Sequence, residues 1–248
     1  MIGAGISAAL GIASIVLSVG RVFPEGAPAR VLQYLSIALQ EILLLGLPAL
    51  LLWLTVSDRK AAEVLFEKPD ALSVGIAGLG AVSFVGASVL LTSLWVTVLQ
   101  SLEIGFALPA GLESPVNTGE YLLVMLCVAL VPALCEEMFF RGLLLHLLRR
   151  RLSSRAAALL SALLFALLHL SLPGFVALLA IGMFLSLLVI RTNHLWVAVI
   201  FHAVYNGLVI VLNALKARPS LGTVLLFSAV FAGVCWYLNR YKGEQGWS

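Results

Sequence analysis

The run Tyr121–Leu148, YLLVMLCVALVPALCEEMFFRGLLLHLL, places three charged side chains, Glu136, Glu137 and Arg141, inside an otherwise apolar stretch. The run exceeds the roughly 20 apolar residues that an α-helix needs to cross a hydrocarbon core of ~30 Å. An ionisable side chain in mid-membrane costs on the order of 2.5–3.5 kcal/mol on insertion scales, so it faces a cavity or another polar group. This stretch therefore reads as a membrane-spanning helix built around a buried polar site.

The rest of the chain supports a membrane reading. It is 62% hydrophobic and 11% charged, and a soluble domain of this length carries about twice that charged fraction. Spans are expected at about 2–20, 32–55, 71–98, 119–148, 156–170, 173–190, 195–213 and 220–238. The fold class is all-α, a polytopic membrane bundle of about eight transmembrane helices with no sizeable water-soluble domain. The breaks are chemically sensible: Pro24 and Pro28 between Arg21 and Arg30, seven charges from Asp58 to Asp70, Pro109, Gly111 and Pro115 in the third loop, and a tight turn at Pro173-Gly174. Within one integral membrane domain the chain divides into residues 1–118 (N-terminal helices and loops), 119–213 (a helical core that carries the buried charges) and 214–248 (the last helix and tail).

Alternating spans give one side Arg59, Lys60, Lys68, Arg149, Arg150, Arg151, Arg155, Arg191, Arg240 and Lys242, and the other Arg21, Arg30, Lys216 and Arg218. This excess places the first side, with both termini, in the cytoplasm. The first span alone argues the opposite, having no basic residue before it and Arg21 after it, but the short Arg149–Arg155 loop carries more weight. A cleaved signal peptide over residues 1–20 lacks the positively charged start. The net charge of +3 reflects loop composition and gives no support for nucleic-acid binding. Cys127, Cys135 and Cys235 all fall within spans and suggest no disulfide framework. The segment Ala61–Phe66 reads as a short amphipathic anchor.

Glu137 and Arg141 are spaced i, i+4 and share a helix face, whereas Glu136 is turned about 100° away. One carboxylate is thus expected to pair and the other to stay free. Phe165 and His169 share a face of the fifth span, as do His202 and Asn206 in the seventh. Counted from the basic ends, Glu136, His169, His202 and Asn206 lie about 16 to 23 Å along their helices. A carboxylate, two imidazoles and a carboxamide meeting in a bundle interior are the parts of a hydrolytic site.

Glu136-Glu137-Met138-Phe139-Phe140-Arg141, Phe165-Ala166-Leu167-Leu168-His169 and His202-Ala203-Val204-Tyr205-Asn206 resemble the three motifs of the CPBP intramembrane proteases. That family includes the type II CAAX prenyl endopeptidases and their bacterial relatives. Residues 1–118 carry no matching motif. The resemblance implies a glutamic-type endopeptidase without a cofactor, in the cytoplasmic membrane of a prokaryote, whose partners are the bilayer and a membrane-bound or lipidated protein substrate. Glu136 would be the general base that activates water, and His169 would hold that water or share the proton transfer. His202 and Asn206 would donate to the oxyanion. Glu137 and Arg141 would fix the Glu136 helix, while Phe165 would shape the substrate groove or pack behind His169.

Competing readings are weaker. Glu136, His169 and His202 are zinc-ligand types, but the His-Glu-x-x-His pattern is absent. Paired intramembrane aspartates are missing, Gly86-Ala87-Ser88 has no histidine in its span, and Cys135 reads as a small buried hydrophobe. A proton-coupled transporter or an inactive scaffold would use the same acids and histidines, yet no inverted repeat is visible. His146 and His194 have no motif partner. Glu41 either pairs with another helix or lines the cavity. Pro132 either bends the fourth span near the site or is tolerated without functional meaning.

Overall fold

The computed structural model describes residues 27–55, 67–107 and 114–241. Among these residues all regular structure is helical. Helix α1 runs through Ala27–Glu41, a π-helical Ile42–Gly46 and Leu47–Thr55; α2 is Ala71–Ser101. Helix α3, Thr118–Arg149, is interrupted by π-helical Met125–Leu130 and Met138–Leu144. Helices α4 to α7 are Ser154–Leu168, Phe175–Thr192, Leu195–Ala214 and Leu221–Arg240. All but α4 are long and apolar enough to cross a membrane. At 15 residues, α4 covers only about 22 Å. These helices coincide with the second to eighth expected spans. The first span at 2–20, the orientation-bearing Arg21, Arg59, Lys60 and Lys242, the breaks at Pro24, Pro109 and Gly111, and the Ala61–Phe66 anchor lie outside the described residues.

Helix starts are set locally. Asp70, Asn117, Ser153 and Ser220 each accept a hydrogen bond from the backbone N–H three residues on, satisfying a donor that the first helical turn leaves unpaired. The Ser73 hydroxyl and backbone N–H hold the Asp70 carboxyl below its usual range. Pro48 and Pro132 each follow a π-helical segment by two residues. A proline cannot donate to the carbonyl four residues back, here Leu44 and Val128. Widening the preceding turn accommodates both the ring and the lost bond.

The helices are inverted relative to those of a soluble protein. The inner face of α2 carries Ala77, Gly80, Ala81, Ser83, Gly86, Ala87 and Ser88, while Leu72, Leu79 and Leu94 face outward. Lipid tails are as apolar as leucine, so close backbone approach and dispersion contacts hold such helices together. Helix α7 packs along α2, α4 and α5 form a hairpin, and α6 contacts both α2 and α3, with α1 against α3. Phe84, Phe184, Phe201 and Phe231, with ring centroids 4.9–6.2 Å apart in contacting pairs, knit α2, α5, α6 and α7 into one core. Arg30 and Glu120 pair at 3.0 Å where α1 and α3 begin.

Two glycines mark helix crossings. A Cβ on Gly182 would sit 2.9 Å from Ala162 Cα, fixing the α4–α5 approach. A Cβ on Gly86 would meet Phe227 Cβ at 2.5 Å and the Val224 carbonyl at 2.9 Å. Gly86→Ala is therefore expected to cost about 1–3 kcal/mol through overpacking. A lower unfolding midpoint in lipid nanodiscs checks this; an unchanged one would mean that α2 and α7 are not so close.

Candidate active site

The acidic pair stands at the end of the α-helical segment Val131–Glu137, directly before the π-helical turn Met138–Leu144 that carries Arg141. Such widened turns recur at functional sites because they re-aim side chains. Glu137 is 0% exposed and pairs with Arg141, Oε1 to Nη1, at 2.8 Å. The same oxygen lies 2.8 Å from His202 Nδ1 of α6. Since a carboxylate only accepts, His202 Nδ1 carries the hydrogen and donates, which leaves Nε2 facing the other acid. That nitrogen is 3.9 Å from Glu136 Oε2, an oxygen with no hydrogen-bond partner among the described residues.

Both terminal nitrogens of Arg141 are bonded, while its Nε is buried without a hydrogen-bond partner among the described residues. Its Nη2 donates to the Gly182 carbonyl at 3.1 Å, and its guanidinium lies 4.7 Å from the Phe165 ring centroid and 5.8 Å from that of Phe140. Hydrogen bonds and the ring faces together confine the cation. Phe165 is buried at 1% exposure. Its ring sits 4.5 Å from the His169 imidazole and 6.0 Å from that of His202.

His169 stands one turn from Phe165, at the end of its helix. The fifth span was read as continuing to residue 170, whereas α4 ends at Leu168 and His169 is its exposed C-cap residue. Leu170 follows with φ 49° in the left-handed region, where the chain turns. His169 Nδ1 is 2.8 Å from the Phe165 carbonyl oxygen, which can only accept. Nδ1 therefore donates, and in the neutral ring Nε2 is free to accept a hydrogen bond from water. The turn beyond is tied to α2 by Trp95 Nε1, which donates to the Leu172 carbonyl at 2.8 Å.

The structure thus joins Glu136, Glu137, Arg141, Phe165, His169 and His202 in one chain of contacts. Asn206 lies half-buried one turn beyond His202 on α6. The residues of metal-ligand type here are Glu136, His169 and His202; among the described residues no group of three or more such side chains is arranged as a metal-ion site. His146 contacts Arg150 at 3.2 Å near the end of α3, and His194 precedes α6. Sequence reasoning missed the Glu137–His202 bond, which joins residues 65 apart and leaves no local trace. It left Glu41 undecided; that residue acts electrostatically on Glu136.

Fold and site define a polytopic helical membrane protein with a buried carboxylate–imidazole centre. Residues 118–208 match the family model described as Type II CAAX prenyl endopeptidase Rce1-like. That match covers all three motifs and supports the CPBP/CAAX-endopeptidase-like resemblance over this segment. No curated protein and no solved structure matches the chain.

Proposed function

We propose that the chain is an intramembrane endopeptidase of the glutamic type that hydrolyses a peptide bond in a membrane-associated or lipidated protein. The observation that carries this reading is the double use of Glu137 Oε1, which holds Arg141 and His202 at 2.8 Å each and so turns His202 Nε2 toward the unpartnered oxygen of Glu136. The family's description supports a prenylated CAAX-type substrate as the first class to examine. With the basic ends of α3 and α5 in the cytoplasm, the site opens to the cytoplasmic half of the membrane.

Glu136 takes a proton from a water molecule whose oxygen attacks the scissile carbonyl carbon. His169 Nε2 accepts a hydrogen bond from that water's other O–H, which stays intact, and fixes its orientation. His202 and Asn206 donate to the resulting oxyanion. For His202 this requires hydrogens on both ring nitrogens, and the Glu137 carboxylate at Nδ1 supplies the counter-charge. When the C–N bond breaks, Glu136 returns its proton to the leaving amine.

The test compares newly formed protein termini in membranes of cells expressing the wild type or Asn206→Ala at matched abundance. Loss of one oxyanion donor is expected to slow their formation by about 10²–10³-fold. A proton-coupled transporter would tolerate this change better than loss of a glutamate. Unchanged termini would remove Asn206 from the reaction.

A further inference from the structure

Glu41 is a membrane-embedded acid that the mechanism above leaves unused. It ends the first α-helical part of α1, and the π-helical turn after it, Ile42–Gly46, packs on the Val131–Glu137 segment of α3. The approach is tight: a Cβ on Gly46 would lie 2.8 Å from the sulfur of Cys135, the residue preceding Glu136. Glu41 acts electrostatically on both Cys135 and Glu136. One oxygen of each acid, Glu41 Oε2 and Glu136 Oε2, is buried without a hydrogen-bond partner among the described residues, and Glu136 is only 6% exposed.

The charges around Glu136 come from every helix that packs there: Glu41 of α1, Glu137 and Arg141 of α3, and His202 of α6. His169 of α4 in turn faces His202 and Arg141. Arg141 and His202 are both bonded to Glu137 Oε1. Glu137 Oε1 thus engages both cations, His202 Nε2 also lies 3.9 Å from Glu136 Oε2, and Glu41 is left without an ion pair among the described residues. Two desolvated carboxylates in one site do not both ionise readily; a single proton between them removes the repulsion.

We propose that Glu41 is a positioning residue for the reaction: its carboxyl keeps that proton and donates a hydrogen bond, directly or through one water, to the free oxygen of Glu136. This deepens the protease reading and rests on it. Glu136 remains the ionised base with its orientation fixed, and only Glu136 exchanges a proton with the attacking water and the leaving amine. Glu41 retains its own proton throughout, so the step balances without a further reactant.

The experiment uses the full chain in lipid nanodiscs and in cells, with Glu41→Gln, Glu41→Met and Glu136→Gln as variants. Infrared spectra at neutral pH are expected to show a carboxylic-acid C=O stretch that both Glu41 variants abolish and that Glu136→Gln shifts by replacing the carboxylate acceptor with a neutral amide. This readout does not depend on hydrolysis, and absence of the band in the wild type overturns the proposal. In cells, the termini that vanish with Glu136→Gln report activity. Glu41→Gln keeps an N–H donor and is expected to form them at close to the wild-type rate. Glu41→Met matches the volume without a donor and is expected to fall about 10- to 100-fold while its unfolding midpoint holds or rises. Wild-type cleavage by the Met variant, or a Gln variant as slow as Met, overturns the proposal. If wild type and Glu136→Gln yield the same termini, the protease reading itself fails, and the infrared band still decides the shared proton.

Discussion

Glu136→Gln is expected to lower proteolysis by about 10²–10⁴-fold, the usual contribution of a positioned general base. The substitution preserves shape and removes basicity. Structurally it is mild, because Glu136 Oε2 has no hydrogen-bond partner among the described residues and the Arg141–Glu137–His202 linkage does not pass through Glu136. The unfolding midpoint should stay close to that of the wild type while specific termini disappear from membranes and their uncleaved precursors accumulate. That outcome would also identify the substrate. Matching profiles at matched abundance would instead move transport or scaffolding to the front.

The largest stability effect is expected at Glu137. Removing one partner of a buried ion pair costs about 3–5 kcal/mol, because the remaining charge is stranded. Glu137→Ala strands Arg141, which is fully buried, and also deprives His202 Nδ1 of its acceptor. The double variant Glu137→Leu/Arg141→Met separates these consequences. It removes both charges and keeps apolar bulk against Phe140 and Phe165, so stability should return to near wild type or above. Activity should not return, since the His202 imidazole has no carboxylate to orient it. Recovery of cleavage in the double variant would show that Glu137 serves only to hold the helices together.

Spans were legible because their signal is periodic and local: a run such as Ala71–Ser101 needs no partner to be recognised. The Glu137–Arg141 pair was legible for the same reason, lying within one helical turn. The helix end at His169 was not legible, because apolar composition continues past Leu168 while the helix does not. The turn there depends on Trp95 of α2 and on a left-handed Leu170, neither marked in the local sequence. The Glu137–His202 bond and the packing of Ile42–Gly46 on Val131–Glu137 depend on how α1, α3 and α6 pack. Lipid-facing leucine and small inward residues constrain that packing only loosely. Pro132 shows an intermediate case: the residue is obvious, but its answer, a π-helical turn over Met125–Leu130, is written only in the backbone.

The Glu137 carboxylate also sets a timetable for biogenesis. Its second partner, His202, lies 65 residues downstream, and at synthesis rates of about 5–20 residues per second the ribosome needs roughly 3 to 13 s to make that stretch. Until α6 emerges, α3 must leave the translocation channel with its acids only partly compensated, or wait beside it. Nascent chains stopped before residue 202 should therefore stay attached to the insertion machinery, whereas chains long enough to deliver α6 should be released into the lipid phase.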